Sequence, residues 1–106
     1  QMAAAGADIV VAHMGLTTKG SIGAATAKTL DDCVEDVKAI CDTSKSIRED
    51  VITLCHGGPI AEPGDAQYIL DRVPEVDGFY GASSMERLPT EVAITEQIRR
   101  FVEIRR

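Results

Sequence analysis

Apolar residues along the chain fall into two patterns that alternate. Short, nearly unbroken runs lie at Asp8 to Ala12, Val51 to Cys55 and Gly78 to Gly81. Such runs read as strands buried on both faces, the habit of parallel sheets. Between them the apolar positions spread to a helical period. Leu30, Cys33, Val34, Val37, Ile40, Cys41 and Ser44 share one face of a helix over Leu30 to Ile47, with Asp36, Lys38, Asp42 and Lys45 elsewhere. Thr29 followed by Asp32 predicts a capping box, with Asp in place of the usual Glu. Pro63 suits the first position of a second helix, whose apolar face is Ala66, Ile69, Leu70 and Val73. From about Thr90 a third helix turns Ile94, Ile98, Phe101 and Val102 inward, with Arg99, Arg100, Arg105 and Arg106 outward or C-terminal, where cations suit the helix dipole. Gln1 to Gly6 reads as a helix tail with a glycine stop.

The order is therefore (α)βαβαβα, and strands separated by helices pair in parallel through right-handed crossovers. An open sheet of three such runs leaves two apolar edges unpaired. Three strands cannot close a barrel, and a (β/α)8 barrel typically takes about 250 residues. The expected architecture is α/β: a single partial domain over residues 1–106, the C-terminal part (about three βα units) of a (β/α)8 TIM barrel. The chain starts with Gln1, so its biological start is expected upstream. Gly15 to Lys28 is too long and too poor in core-forming side chains for a routine connection. It reads as a lid, with Thr17, Thr18, Lys19, Gly20 and Ser21 placed to cover a ligand.

Charge narrows the partners. Seventeen acidic and eleven basic residues give a net charge of −6, which disfavours capture of nucleic acid or an anionic membrane. No apolar run approaches the ~20 residues of a membrane span, and no basic-then-apolar leader opens the chain. Cys33, Cys41 and Cys55 are odd in number and lack metal-ligand spacing, as expected of reduced, apolar-packing cysteines in a cytoplasmic protein. A homo-oligomer is the expected assembly.

The chemistry concentrates where strand runs end. His13 follows the first run and His56 the second, and carboxyl ends of parallel strands are where α/β proteins bind ligands. Both are candidate catalytic groups, since neutral imidazole polarises a carbonyl or shuttles a proton. Gly15, the pair Gly57 and Gly58, and Gly81, Ser83 and Ser84 after the third run form a candidate cradle for an anion, the alternative being tight turns that need small residues. Glu86 and Arg87 are candidates to orient a substrate carboxylate, or else solvated or paired charges. Glu62 and Asp65 bias the N-terminus of the second helix. No third ligand stands at zinc spacing, so no metal site is assigned; a divalent cation is compatible with the pattern but not indicated, and the cofactor is unknown. Cys55 and His56 point to opposite faces of a strand, so adjacency implies no Cys–His nucleophile, and Cys55 is expected in the core.

Four segments in order carry a family resemblance: Ala12-His13-Met14-Gly15-Leu16-Thr17-Thr18, Gly20-Ser21-Ile22-Gly23-Ala24, Cys55-His56-Gly57-Gly58-Pro59-Ile60, and Gly78 through Pro89. Together they resemble the phosphoenolpyruvate hydrolase-like TIM-barrel family, whose barrel is described as similar to indole-glycerol-phosphate synthase. The resemblance implies a barrel of which this chain is the last three βα units. It also implies binding of a small phosphorylated or carboxylated acid, phosphoenolpyruvate-like, for hydrolysis or C–C or C–P bond chemistry. The implied partners are a small anionic substrate, the remainder of the barrel and an N-terminal domain of another family, with these residues alone inactive. The alternative is a non-catalytic module that binds a protein or nucleotide, since relatives in that family include inhibitors of viral RNA replication.

Overall fold

The computed structural model describes residues 1–25 and 28–105. Thr26 and Ala27, within the expected lid, and Arg106 lie outside the described residues. Strands and helices alternate as β1 (Ile9–His13), α1 (Leu30–Ile47), β2 (Ile52–His56), α2 (Pro63–Arg72), β3 (Gly78–Phe79) and α3 (Arg87–Val102). The strands form one parallel sheet in the order β1-β2-β3. Ile9 stands opposite Ile52 and His13 opposite His56; Leu54 stands opposite Gly78 and Cys55 opposite Phe79.

Local chemistry sets the helix starts. Thr29 accepts the Asp32 N–H while the Asp32 carboxylate accepts the Thr29 N–H at 2.8 Å, the reciprocal cap expected with Asp at the third position. Glu62 and Asp65 close a second capping box around Pro63, the first residue of α2. From these starts α1 buries Cys33, Val37 and Cys41, and α2 buries Ala66 and Ile69. Ala12, Cys55, Ile60, Val73 and Val76 join them in one core between the two helices and one face of the sheet. Each fully buried Ile or Val contributes on the order of 1.5–3 kcal/mol.

The sheet's two faces differ. Ala12, Thr53 and Cys55 point to the helices and are sealed. Their neighbours Ile9, Val11, His13, Ile52, Leu54 and His56 point the other way, and there Ile9 is 51% and Ile52 45% exposed. Parallel sheets are ordinarily covered on both faces; among the described residues this one is covered by helices on one face only.

Four local expectations are corrected. β1 and β2 each run one residue later than expected and contain His13 and His56, because their pairing continues to those two residues. Only Gly78 and Phe79 of the third run pair, so Tyr80 lies just beyond β3. The N-terminal segment forms one short 3-10 turn, Ala3–Ala5, stopped by Gly6 at φ 92°. α3 begins at Arg87 with Pro89 in its first turn, where a missing N–H is harmless. Its expected inner residues Ile94, Ile98, Phe101 and Val102 are all exposed, and α3 buries nothing. The physical reason is that α3 touches the loop after β1 through its first residues, Arg87 and Glu91, and then runs off the sheet, leaving these apolar side chains uncovered among the described residues. The molecule measures 67 × 24 × 22 Å with a radius of gyration of 17.3 Å, where a compact domain of this length has about 13 Å. No helix among the described residues is long and apolar enough to cross a membrane.

Candidate functional site

Sheet register builds the site. His13 and His56 end adjacent strands at the same level, and Tyr80 continues the row, since the Tyr80 N–H donates to the Cys55 carbonyl at 2.9 Å. The His13 and His56 rings meet edge to face, centroids 4.8 Å apart at 80°. The Tyr80 ring lies 4.9 Å from that of His56. All three sit on the bare face of the sheet. Each imidazole is fixed through Nδ1: the Gly15 N–H donates to that of His13 at 3.0 Å, and that of His56 is 2.6 Å from the Tyr80 carbonyl oxygen. Tyr80 was missed by sequence reasoning. The signal was its place two residues after Gly78, level with His56 once strands two and three pair.

Cys55, one residue from His56, faces the opposite side. Burial pushes its thiol up to about 11, so it is protonated and unreactive at neutral pH. Cys33 and Cys41 are likewise buried and unpaired. The expectation of core cysteines holds.

Gly57 and Gly58 have a different immediate cause from an anion. Both adopt positive φ, 78° and 59°, and a Cβ on them would meet the Gly15 carbonyl oxygen at 2.2 Å and that of Met14 at 2.4 Å. They let the loop after β1 lie against the loop after β2. The Gly58 N–H donates to the Gly15 carbonyl at 2.8 Å, so that donor is already engaged.

The expected lid crosses the strand ends as a strap. The Thr18 N–H donates to the Gly58 carbonyl at 3.2 Å. Lys19 then reaches Glu62 at 2.8 Å and Asp65 at 2.9 Å, on the N-terminus of α2. The Glu62 carboxylate, against the opposing effect of burial and with help from Asp65, holds Lys19 above the ordinary lysine range. Burial opposes ionisation of Asp65, yet Lys19 and the N–H groups of Glu62 and Ala61 outweigh it and keep its carboxyl below the usual range. Farther along, the Ser21 N–H donates to Glu91 at 2.9 Å, and Arg87 donates to Glu91 and to the Lys19 carbonyl at 2.9 and 3.0 Å. Thr17 is half-buried in the strap, and Gly20 fits tightly under Arg87 and Leu88.

The structure thus brings His13 and His56 together and commits Lys19 and Arg87 to carboxylates. Ser84 lines an apolar cleft of about 280 Å³ with Ala61, Ala66, Leu70, Phe79 and Met85, on the helix-covered side and away from the imidazoles. Gly81 packs under Met85. Ser83 accepts the Leu88 N–H through its carbonyl, and Glu86 lies exposed just before α3, its side chain making no cap hydrogen bond. Among the described residues, no three His, Cys, Asp or Glu side chains gather as a cation site.

Fold and site together define a βα-repeat protein that holds a polar aromatic row at the carboxyl ends of its parallel strands. Within that class the chain belongs to the phosphoenolpyruvate hydrolase-like family, whose model matches residues 1–104. It is 59% identical over 103 residues, 97% of its length, to two tomato (Solanum lycopersicum) proteins, the ToMV susceptible protein tm-1(GCR26) and the ToMV resistance protein Tm-1(GCR237). It is 35% identical over 98 residues, 92% of its length, to the protein y4pA of Sinorhizobium fredii. The chain spans 14% of the length of each tomato relative and 16% of the bacterial one.

Proposed function

We propose that the chain is the C-terminal βα part of a (β/α)8 barrel whose strand-end site binds a small phosphorylated or carboxylated acid, with His13 and His56 as its polar and proton-handling groups. The carrying observation is the His13–His56 contact at the carboxyl ends of strands whose other residues on that face are apolar and uncovered. A barrel interior is such a face: packed by other strands below and open to ligand at the top. The much greater length of the relatives supports covering strands elsewhere in the parent protein. Those strands are the chain's expected partners, and they would bring the further donors an anion needs, because Lys19 and Arg87 are engaged. The three buried, unpaired cysteines fit a reducing compartment such as the cytoplasm.

The test is calorimetry on the full-length protein with phosphoenolpyruvate and related acids. His56→Ala should weaken binding at least about tenfold, the value of one good hydrogen bond to a charged group, with thermal unfolding unchanged. Equal affinity in wild type and variant rejects the assignment. A second reading, a binding module without turnover, draws on the names of the tomato relatives and on the engaged cations. Saturable binding of such acids with no product in a turnover assay favours it over an enzyme.

A further inference from the structure

We propose that His13 and His56 are held in opposite tautomers, so that the pair offers one fixed donor beside one proton acceptor and takes an oxyacid group that still carries a proton. The inference rests on the strand-end binding reading and gives its two imidazoles different roles. The Gly15 N–H can only donate, so Nδ1 of His13, 3.0 Å away, must present its lone pair. The neutral His13 ring therefore carries its proton on Nε2. The Tyr80 carbonyl can only accept, so Nδ1 of His56, 2.6 Å from it, must carry the proton. The lone pair of His56 is then on Nε2. Which ring nitrogen is protonated follows from what the other nitrogen meets. Neither Nε2 has a protein partner among the described residues, and both belong to rings in edge-to-face contact on the bare face.

A fully ionised anion offers only acceptors, and it would set an oxygen lone pair against that of His56. A hydrogen phosphate ester or a protonated carboxyl offers both halves of the match, an acceptor oxygen for His13 Nε2–H and an O–H for His56 Nε2. From that arrangement the proton passes from the ligand oxygen to His56 Nε2. The ligand keeps the electron pair as an oxyanion and His56 becomes imidazolium, still donating from Nδ1 to Tyr80. His13 cannot make the same exchange, because its second nitrogen is engaged as the acceptor of the Gly15 N–H. The same reasoning makes the pair a poor two-imidazole metal chelate, which needs an outward lone pair on both rings. Around His56 stand His13 and Tyr80; the cations Lys19 and Arg87 are held by Glu62, Asp65 and Glu91. The Gly15 N–H and the Tyr80 carbonyl are thus positioning groups, acting through the rings they orient.

Long-range proton–nitrogen correlation on the full-length protein, labelled at histidine and assigned with His13→Gln and His56→Gln, reads the tautomers directly. The expected result is a bare Nδ1 on His13 and a bare Nε2 on His56. The same tautomer on both rings, or a bare Nδ1 on His56, overturns the proposal whether or not a ligand binds. Inorganic phosphate is then added. The expected response is the imidazolium signature on His56 with His13 unchanged, and phosphate binding read by calorimetry weakened at least about tenfold in His56→Gln. Opposite tautomers with a phosphate response at His13 overturn the division of roles. Opposite tautomers with no response at either ring overturn the oxyacid assignment, while the strand-end binding reading stands or falls separately on the calorimetry with phosphoenolpyruvate and related acids.

Discussion

The two faces of the sheet are made of the same three strands, one residue step apart, and they meet different fates. On one, Thr53 and Cys55 of β2 are sealed under α1 and α2; on the other, their neighbour Ile52 is 45% exposed. Both sets alternate along the same strand, and short of the terminal imidazoles the exposed set is no more polar than the buried one. The difference lies in what covers them, since α1 and α2 both pack on one side and α3 packs on neither. An apolar sheet face ending in two imidazoles is what the proposed barrel interior requires, and the comparison can be broken by asking what each face is worth.

The largest effect is expected in the sealed layer. Ile69, fully buried between α2 and the sheet, should lose about 2–5 kcal/mol on Ile69→Ala, from lost transfer energy plus the cavity left behind. On the bare face, Ile52→Ala should change the stability of the 106-residue chain by less than about 1 kcal/mol, as half-solvated positions do. In the full-length protein the same Ile52→Ala should rise into the core range of about 2–5 kcal/mol. Denaturant midpoints of the two wild types and the three variants decide it. A near-neutral Ile52→Ala in the full-length protein would mean that nothing covers this face, and the barrel reading would fall.

A smaller effect separates glycines that the fold requires from those it tolerates. Gly58→Ala puts a Cβ 2.4 Å from the Met14 carbonyl oxygen at φ 59°, and should cost about 2–4 kcal/mol from left-handed strain together with the clash. Gly64, in the first turn of α2, has open space around it and no positive φ, so Gly64→Ala should stabilise by about 0.5–1 kcal/mol. Equal costs at the two positions would show that the strap over the strand ends does not rest on the glycine pair.

What the sequence made legible divides along the same line. α1 matches its expected span because its apolar stripe and its cap are both local signals, and Pro63 with Ala66 and Ile69 marks α2 as plainly. Cys55 and His56 fall on opposite faces as strand alternation demands. α3 was misread in its packing because periodicity reports an amphipathic face without saying what lies opposite it; Ile94 and Phe101 have the pattern of core residues and no core in this chain. At the site, the strand-end location of His13 and His56 was readable, but their contact and the row with Tyr80 depend on register, which no single strand encodes. Lys19 and Arg87 looked available because their carboxylate partners stand 43 and 4 residues away, and the more distant pairing is a tertiary fact.

The smallest effect lies at the opposite ends of the strands, where charge serves stability rather than binding. Asp77 accepts the Thr53 N–H at 2.7 Å and the Lys45 ammonium at 3.0 Å. The Thr53 N–H, followed by Lys45, holds its carboxyl below the usual aspartate range. A carboxylate whose pKa is depressed by folding stabilises the native state fully above its unfolded value, near 3.9, and loses that contribution as pH falls through the lower folded value. The side chain is 45% exposed, so solvent screening limits the whole contribution to below about 1 kcal/mol. Asp77→Asn keeps an acceptor for the Thr53 N–H and removes only the charge. It should therefore lower stability slightly at pH 7, and the gap from wild type should close as pH falls below the folded value. A gap that persists undiminished in acid would show that Asp77 acts through shape alone. It would also make this end of the strands, unlike the imidazole end, indifferent to protonation.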